Sequence, residues 1–464
     1  MADREYTLPE EKKIPDAELV DGFVKLIERG DQNMAVAAVL DLYPADAAQV
    51  LTHLHFELAS KLFHWLPEEP AADVLAELDD DYRAELLEKA PRERLTGLLD
   101  ELDTDDAADV LLDLPEKVAQ EVLPTLKEAE DVEELLQYPE DTAGGIMGTE
   151  YVAVSLDSTV EQATEAVRAK AEIVEKIYAV YLTDDTGCLK GFVTLKRLLL
   201  SPANFRMADI VKSDVISVPT SHDQEEVGRI MERYNLISLP VVDEEERLVG
   251  RITIDDVVEV IREEHEEDIL RMSGVSGGEG PTDSVLEMVR GRLPWLLAGL
   301  VGAGLAAMVI SFFEDAIREA TMLAAFIPIV MATAGNAGIQ SSAIAVQGLA
   351  VGEIWSSDIS GRLAKELMAA VLNGVVVALA LSVGIIALSL TIGGIRDPYQ
   401  LALTASMALV AVIVLAASIG ATIPLLLERL NVDPAIATGP FITTSNDIMG
   451  ILVFFLLADH FYLV

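Results

Sequence analysis

Apolar positions recur along this chain with three different rhythms, and each predicts a different kind of element. From Leu42 onward the spacing is twelve: LYPADAAQVLTH, LHFELASKLFHW, LPEEPAADVLAE, LDDDYRAELLEK, APRERLTGLLDE, LDTDDAADVLLD and LPEKVAQEVLPT follow without a gap. Each unit opens on Leu or Ala and carries an apolar pair at its ninth and tenth positions, from Val50/Leu51 to Val122/Leu123. That length fits a turn plus about two helical turns, too short a helix to be stable alone. Stacked units bury what one cannot, so a superhelix of small helices is expected. Pro44, Pro67, Pro70, Pro91 and Pro115 fall early in their units, where a helix start tolerates them.

The second rhythm is a duplication. After the linker YPEDTAGGIMGTE, the string IYAVYLTDDTGCLKGFVT from Ile177 lines up with LISLPVVDEEERLVGRIT from Leu236 at an offset of 59 residues. Asp184 falls on Asp243, Leu189 on Leu248, Gly191 on Gly250 and Thr194 on Thr253. Each copy reads as strand, acidic turn, strand and helix, preceded by an extended piece and another helix. This resembles a tandem pair of CBS (cystathionine-β-synthase-type) domains, most specifically in LPVVDEEERLVGRITIDDVV. The resemblance implies a regulatory binding module. In that family the Thr and Asp of a G-x-x-T-x-x-D string often hold an adenosine ribose; here they are Thr253 and Asp256, after Gly250. The first copy has Arg197 at the place of Asp256, so a single nucleotide site is expected.

The third rhythm is no alternation at all. Residues 293–313 form an uncharged run of 21, enough for one membrane crossing, and further apolar runs cover about 322–351, 367–395, 401–427 and 435–464. Five spans put the chain ends on opposite sides. Loops on the N-terminal side carry Arg290, Arg292, Arg362, Lys365 and Arg429; the opposite loops carry Arg318 and Arg396 beside Glu314, Asp315, Glu319 and Asp397. The positive-inside rule then places the N-terminal portion in the cytoplasm of a cell whose plasma (inner) membrane holds the spans.

Charge sharpens this division. The 464 residues carry a formal net charge of −45 although 51% are hydrophobic, which one globular core rarely combines. From Gly291 onward there are 11 acidic and 6 basic residues, leaving 67 acids and 27 bases before it, a net charge of about −40. Such a surface excludes nucleic acid as a partner. Cys188 is the single cysteine and cannot form an intrachain disulfide, and the start MADREYTLPEEKK lacks the apolar core of a signal peptide. A nucleotide-hydrolysing loop G-x-x-x-x-G-K-[ST] and a His/Cys metal cluster are both missing from the sequence, so no enzyme is expected.

Several acids stand where they are costly. Asp105 and Asp109 lie one helical turn apart and share a face. Between Asp255 and Asp268 eight acids fill fourteen positions, with Arg262 as the fixed cation. Like charges on adjacent turns destabilise a helix, and divalent ions would relieve them; hard cations such as Mg²⁺ take oxygen ligands and keep much of their water. The fifth run, GPFITTSNDIMGILVFF in its middle, holds Asp447. A helix starting at residue 435 would carry it ~18 Å deep, near the centre of a ~30 Å slab. A carboxylate there costs at least ~2.5 kcal/mol, and no Lys, Arg or His lies at comparable depth in the other runs, so water or a mobile cation is its expected partner. The second run, FIPIVMATAGNAGIQSSAIAVQG, is interrupted by Asn336, Gln340 and small residues that suit close helix packing.

Over nearly its whole length the chain resembles the MgtE family of magnesium channels or transporters. YPEDTAGGIMGTEYVAV, GRLPWLLAGL, TAGNAGIQSSA and NVDPAIATGPFITTSNDIMG carry the resemblance. It implies a multidomain membrane protein: an α-superhelical N-domain over 1–136, α/β CBS domains over 137–204 and 205–265, a connecting helix over 266–290, and a five-helix transmembrane domain over 291–464. It also implies a homodimer in the lipid bilayer, a Mg²⁺ pore on its two-fold axis with Asp447 as principal ligand, and polar groups near Asn336 along the path. Sensor acids that bind Mg²⁺ to lock the gate would be Asp105, Asp109, Asp256, Glu259, Glu264, Glu267 and Asp268, with Asp223 and Glu225 the nearest acids to a further family position. ATP would be a regulator. The rival reading is a membrane-anchored CBS-type ion or nucleotide sensor without transport, which leaves Asp447 unexplained.

Overall fold

The computed structural model describes residues 17–88, 90–171, 174, 176–275, 285–319, 322–350, 359–392, 397–430, 432–437 and 439–462. They divide into two compact units, one up to Glu263 and one from Glu264 onward. In the first, the helices Pro44–His53, Phe56–Trp65, Glu68–Ala76, Asp80–Leu87, Arg92–Leu99, Thr104–Asp113 and Glu116–Val122 start at intervals of twelve residues, as the repeat requires. Their apolar pairs from Val50/Leu51 to Val110/Leu111 are at most 3% exposed, and the residues that open the turns, Leu54, Leu66, Leu78, Ala90 and Leu114, are buried with them. Pro44 is the first helical residue of its unit, and Pro67, Pro91 and Pro115 immediately precede theirs, where a missing N–H leaves no helical bond unmade.

The duplication folds into two matching three-stranded sheets. Strand β1 (Ala153–Ser155) runs parallel to β2 (Ala179–Thr183), which is antiparallel to β3 (Leu189–Thr194). Strands β4 (Val218–Pro219), β5 (Ser238–Val242) and β6 (Leu248–Thr253) repeat that order, with the same irregularity near the end of β2 and of β5. The copies are joined edge to edge: Leu189 N–H donates to the Glu246 carbonyl at 3.0 Å and Leu248 N–H to that of Gly187 at 3.1 Å. The linker adds to the second copy, where Gly148 and Arg251 exchange backbone hydrogen bonds of 2.9 and 3.0 Å. Gly250 must be glycine there, because a Cβ would overlap the buried Met147 side chain. A single apolar core therefore runs from the superhelix through Met147 into Val218, Leu239, Ile252 and Val257, while the first copy has a core of its own around Val160, Val180 and Val193.

Among the described residues the second unit contains five helices long and apolar enough to cross a bilayer: Val285–Phe312, Met322–Ala350, Ile359–Ile392, Pro398–Arg429 and Pro440–Phe461. The fourth is the hub, buried against its neighbours from Leu401 to Pro424. It crosses the second span at Gly338 and Gly420, where a Cβ on Gly420 would overlap the Gly338 carbonyl; small residues allow such backbone approach. Ser382 and Ser406 join the third and fourth spans at 2.7 Å.

Two expectations need correction. The fifth helix begins at Pro440, not near residue 435, because Pro434–Ala437 forms a separate 3₁₀ turn, and proline favours a first helical position. Asp447 therefore lies ~10 Å along a helix of ~33 Å, about one third of the way and not at its centre. The connecting helix is not one piece over 266–290. The helix Ile254–Met272 ends in a Schellman turn: Gly274, at φ +76°, donates to the Arg271 carbonyl, and Val275 N–H donates to that of Leu270. Residues 276–284 of the expected helix lie outside the described residues, and 285–290 belong to the first span.

The repeat core makes a direct prediction. Leu62→Ala should lower the unfolding free energy of the first unit by about 2–5 kcal/mol in a denaturant titration of the purified protein. Leu112→Ala, at an exposed position, should change it by less than about 0.5 kcal/mol.

Candidate functional site

The helix Thr104–Asp113 begins without help from its own N-cap residue, Asp103. The linker supplies the cap instead. Buried Glu150 accepts the Thr104 N–H at 2.8 Å, and the hydroxyl of Thr104 lies 3.0 Å from that of Thr149 while accepting its N–H at 3.0 Å. Fixed in this way, the helix turns Asp105, Asp106, Asp109 and Asp113 toward one cavity. Opposite stands the first turn of the Ile254–Met272 helix. There Asp256 accepts both the N–H and the hydroxyl of Thr253, at 2.8 and 2.9 Å, and Glu259 follows one turn later. Asp255 faces elsewhere and pairs with Lys176 at 2.5 Å.

The cavity has a volume of about 300 Å³ and is lined by ten carboxylates and one guanidinium, that of Arg83. Arg83 is buried and paired, its Nε 2.8 Å from Asp113 Oδ2 and its Nη2 2.8 Å from Asp80 Oδ1. Burial, reinforced by Asp106 and Asp256, holds the Asp105 carboxyl well above the ordinary carboxylate range. The same two causes, burial and carboxylates including Asp103 and Asp256, push Asp106 up to about 8. Asp109 keeps contact with solvent at the mouth, yet surrounding protein still raises it to about 7 against the opposing pull of Arg83, and Asp113 rises to about 6 for the same reasons. Asp256 and Glu259 are raised as well, first by burial. Among the described residues no three carboxylate, imidazole or thiolate groups already converge on a bare ion.

The structure thus brings together Asp105, Asp109, Asp256 and Glu259, four of the expected sensor acids. It adds Asp106 and Asp113, which the sequence reading passed over although Asp113 continues the one-turn spacing from Asp109. Asp223 has a different task, accepting the Glu225 N–H at 2.9 Å as N-cap of Gln224–Tyr234, and Glu225 pairs with Arg229 at 3.6 Å. In the second unit Glu267 pairs with Arg271, a fixed cation just beyond the acid run, and Arg271 Nη1 lies 2.5 Å from Asp433 Oδ2. Asp268 is raised by burial and by Asp433, and Glu267 is raised by burial. Asp433 was not singled out from the sequence.

Asp447 is half-buried and has no hydrogen-bond or ion-pair partner among the described residues. Its neighbour Asn446 is 2% exposed, packs against Gly338 of the second span, and leaves both amide atoms unbonded. Asn336 is exposed on the second span.

Comparison with known proteins places these features in a family. Residues 327–457 match the family MgtE, described as divalent cation transporter; residues 42–141 match its intracellular N domain, and 143–203 and 207–263 match CBS domains. The Magnesium transporter MgtE of Enterococcus faecalis is 34% identical over 316 residues, 68% of this chain and 68% of that one. That of Thermus thermophilus is 34% identical over 318 residues, 67% of this chain and 68% of the relative. The chain belongs to the MgtE family. A solved structure of the cytosolic domain of the Mg²⁺ channel MgtE in complex with ATP is 37% identical, with a TM-score of 0.50, and covers 52% of this chain and 100% of that one. In MgtE terms, the cavity lies between the N domain, with Asp105 and Asp109, and the second CBS domain, with Asp256 and Glu259. Asn336 and Asp447 fall inside the transporter domain.

The raised carboxyls fix a pH dependence. Protonation of Asp106, Asp109 and Asp113 favours the folded unit: that stability is complete below the ordinary value of 3.8 and is lost as pH rises through about 6, 7 and 8. Divalent cations can offset the loss only where the acids are ionised. Calorimetry of the full-length protein should therefore show Mg²⁺ raising the midpoint of the cytosolic transition by about 5 °C near pH 8.5 and by less than about 1 °C near pH 5. Equal shifts at both pH values would contradict this.

Proposed function

We propose that the protein carries Mg²⁺ across the membrane, with Asp447 as the ligand in its path, and that cytosolic carboxylates close the path when Mg²⁺ is plentiful. The observation that carries the reading is a carboxylate in the fifth span without a partner among the described residues, in a member of a divalent cation transporter family. With cytosolic helix starts for the first, third and fifth spans, Asp447 lies about a third of the way in from the cytosolic side. In a homodimer two such carboxylates would face one axis and attract a hydrated divalent ion through its water shell. Small, closely packed residues at Gly338 and Gly420, with polar groups near Asn336, support a narrow path beside it. The first and third spans bury far less of their length within the chain than the fourth does, which leaves faces for lipid or for the second copy.

Asp105, Asp106, Asp109, Asp256 and Glu259 would act as the sensor. Without cations they repel one another across the cavity; with Mg²⁺ they draw together. The acids that continue the Ile254–Met272 helix, Glu264, Glu267 and Asp268, would pass that change toward the fifth span, which Arg271 and Asp433 adjoin. Thr253 and Asp256 are the residues that would take a regulatory nucleotide such as ATP, and the ATP-bound relative supports this role.

Two measurements test the reading. In vesicles loaded with a Mg²⁺-sensitive dye, Asp447→Ala should lower uptake at least about tenfold, whereas a non-transporting sensor would show no uptake to lose. Asp105→Asn combined with Asp256→Asn should raise the Mg²⁺ concentration that halves flux while leaving the maximal flux in place. An unchanged closing midpoint would remove these acids from the sensor.

A further inference from the structure

One residue of the repeat breaks its rule. The sixth position of each twelve-residue unit reads Ala47, Ala59, Ala71, Arg83, Leu95, Ala107 and Ala119. Ala47, Ala59, Ala71, Leu95 and Ala107 are at most 2% exposed, so this is a core position. In the fourth unit it holds an arginine that is itself only 5% exposed. A guanidinium in an alanine position loses its water, and such burial is tolerated when the charge is fully paired. Here the stem replaces core contacts, while the head emerges into the acidic cavity and is held by Asp80 and Asp113 at 2.8 Å each. The helix Asp80–Leu87 gains no core volume that alanine or leucine would not supply. The gain lies at the cavity.

The cavity is consequently divided. At one end a fixed positive charge serves Asp80 and Asp113 and pulls on Asp109. Toward the other end Asp105, Asp106 and Asp256 act on one another, and Arg83, the one cation among the cavity-lining residues, pulls on Asp106 less than Asp103 and Asp256 push it. We propose that Arg83 is a tethered cation that occupies the place of one divalent ion, confines Mg²⁺ to the end formed by Asp105, Asp106 and Asp256, and so sets the concentration at which the sensor responds. This rests on the reading of the cavity as a Mg²⁺ sensor. A permanent positive charge in the same small cavity opposes the entry of any free cation, so its presence weakens Mg²⁺ binding and shifts the response to higher concentration. Arginine suits the task because it stays protonated at every physiological pH and its planar fork grips two carboxylates at once.

The test uses full-length protein and Mn²⁺, whose free concentration is read by its paramagnetic resonance, with Mg²⁺ as competitor. Arg83→Met keeps the stem and removes the charge, Arg83→Ala restores the residue of the neighbouring units, and Arg83→Lys keeps the charge. The Met and Ala variants should bind one more divalent ion per chain and show a Mg²⁺ midpoint lowered about tenfold. The Lys variant should bind as the native protein does. Native stoichiometry and midpoint in both uncharged variants, weaker binding in both, or failure of both to fold even in Mg²⁺, would overturn the proposal and leave Arg83 a structural strut. The sensor reading itself fails differently: then the native protein and Asp105→Asn would bind Mg²⁺ alike, whatever residue stands at position 83.

Discussion

Ten carboxylates around one 300 Å³ cavity, with a single guanidinium among them, cannot all be ionised without a source of positive charge. Everything else in the cytosolic portion holds that arrangement in place. The superhelix and the second CBS domain share one apolar core, so the two acid-bearing helices are pressed together by burial of Leu, Val and Met side chains, not by attraction between their charged faces. The linker completes the clamp by capping the Thr104–Asp113 helix with Glu150. Packing thus forces together groups that repel, and the excess charge becomes a quantity that protons or divalent cations can discharge. A cluster of acids on a free surface would simply spread into solvent.

The same tension recurs in smaller form in the second unit. Asp447 has no partner among the described residues, while Asn446 beside it packs against the second span. Contact of Asn446 and Ile442 with Gly338 of the second span sets the rotation of the fifth helix, and with it the side on which the acid lies. Near the start of that helix, Arg271 joins Glu267 to Asp433. Acids of the Ile254–Met272 helix therefore lie within a few turns of the segment that carries the proposed pore ligand.

Much of this was legible because the signals are periodic. A twelve-residue repeat with a buried pair fixes where each short helix begins, and the helix starts obey it. A duplication at 59 residues reproduces even the irregular register of its second strand in each copy. The site was legible only in part. Asp105 and Asp109 could be paired from helical spacing, and Asp256 and Glu259 from family resemblance, but their meeting across a cavity depends on where the linker seats the N domain. Arg83 was visible as an exception at the sixth repeat position, yet a charged residue in an exposed-looking helix gives no hint of burial until neighbouring units are in place. Boundaries were misread where glycine and proline decide them: Gly274 ends a helix that the family resemblance carried on to residue 290, and Pro440 starts one that hydropathy would begin earlier.

If packing holds mutually repelling carboxylates together, divalent cations should relieve the repulsion and steady the helices that carry them. Hydrogen exchange of the full-length protein near pH 8, with and without saturating Mg²⁺, tests it at the helices concerned. Amides of Thr104–Asp113 and of the first turns of Ile254–Met272 should become markedly slower to exchange with Mg²⁺, while those of the helix Phe56–Trp65, remote in sequence from the cavity-lining residues, should not. Exchange that is the same with and without Mg²⁺ at both acid-bearing helices would contradict the account.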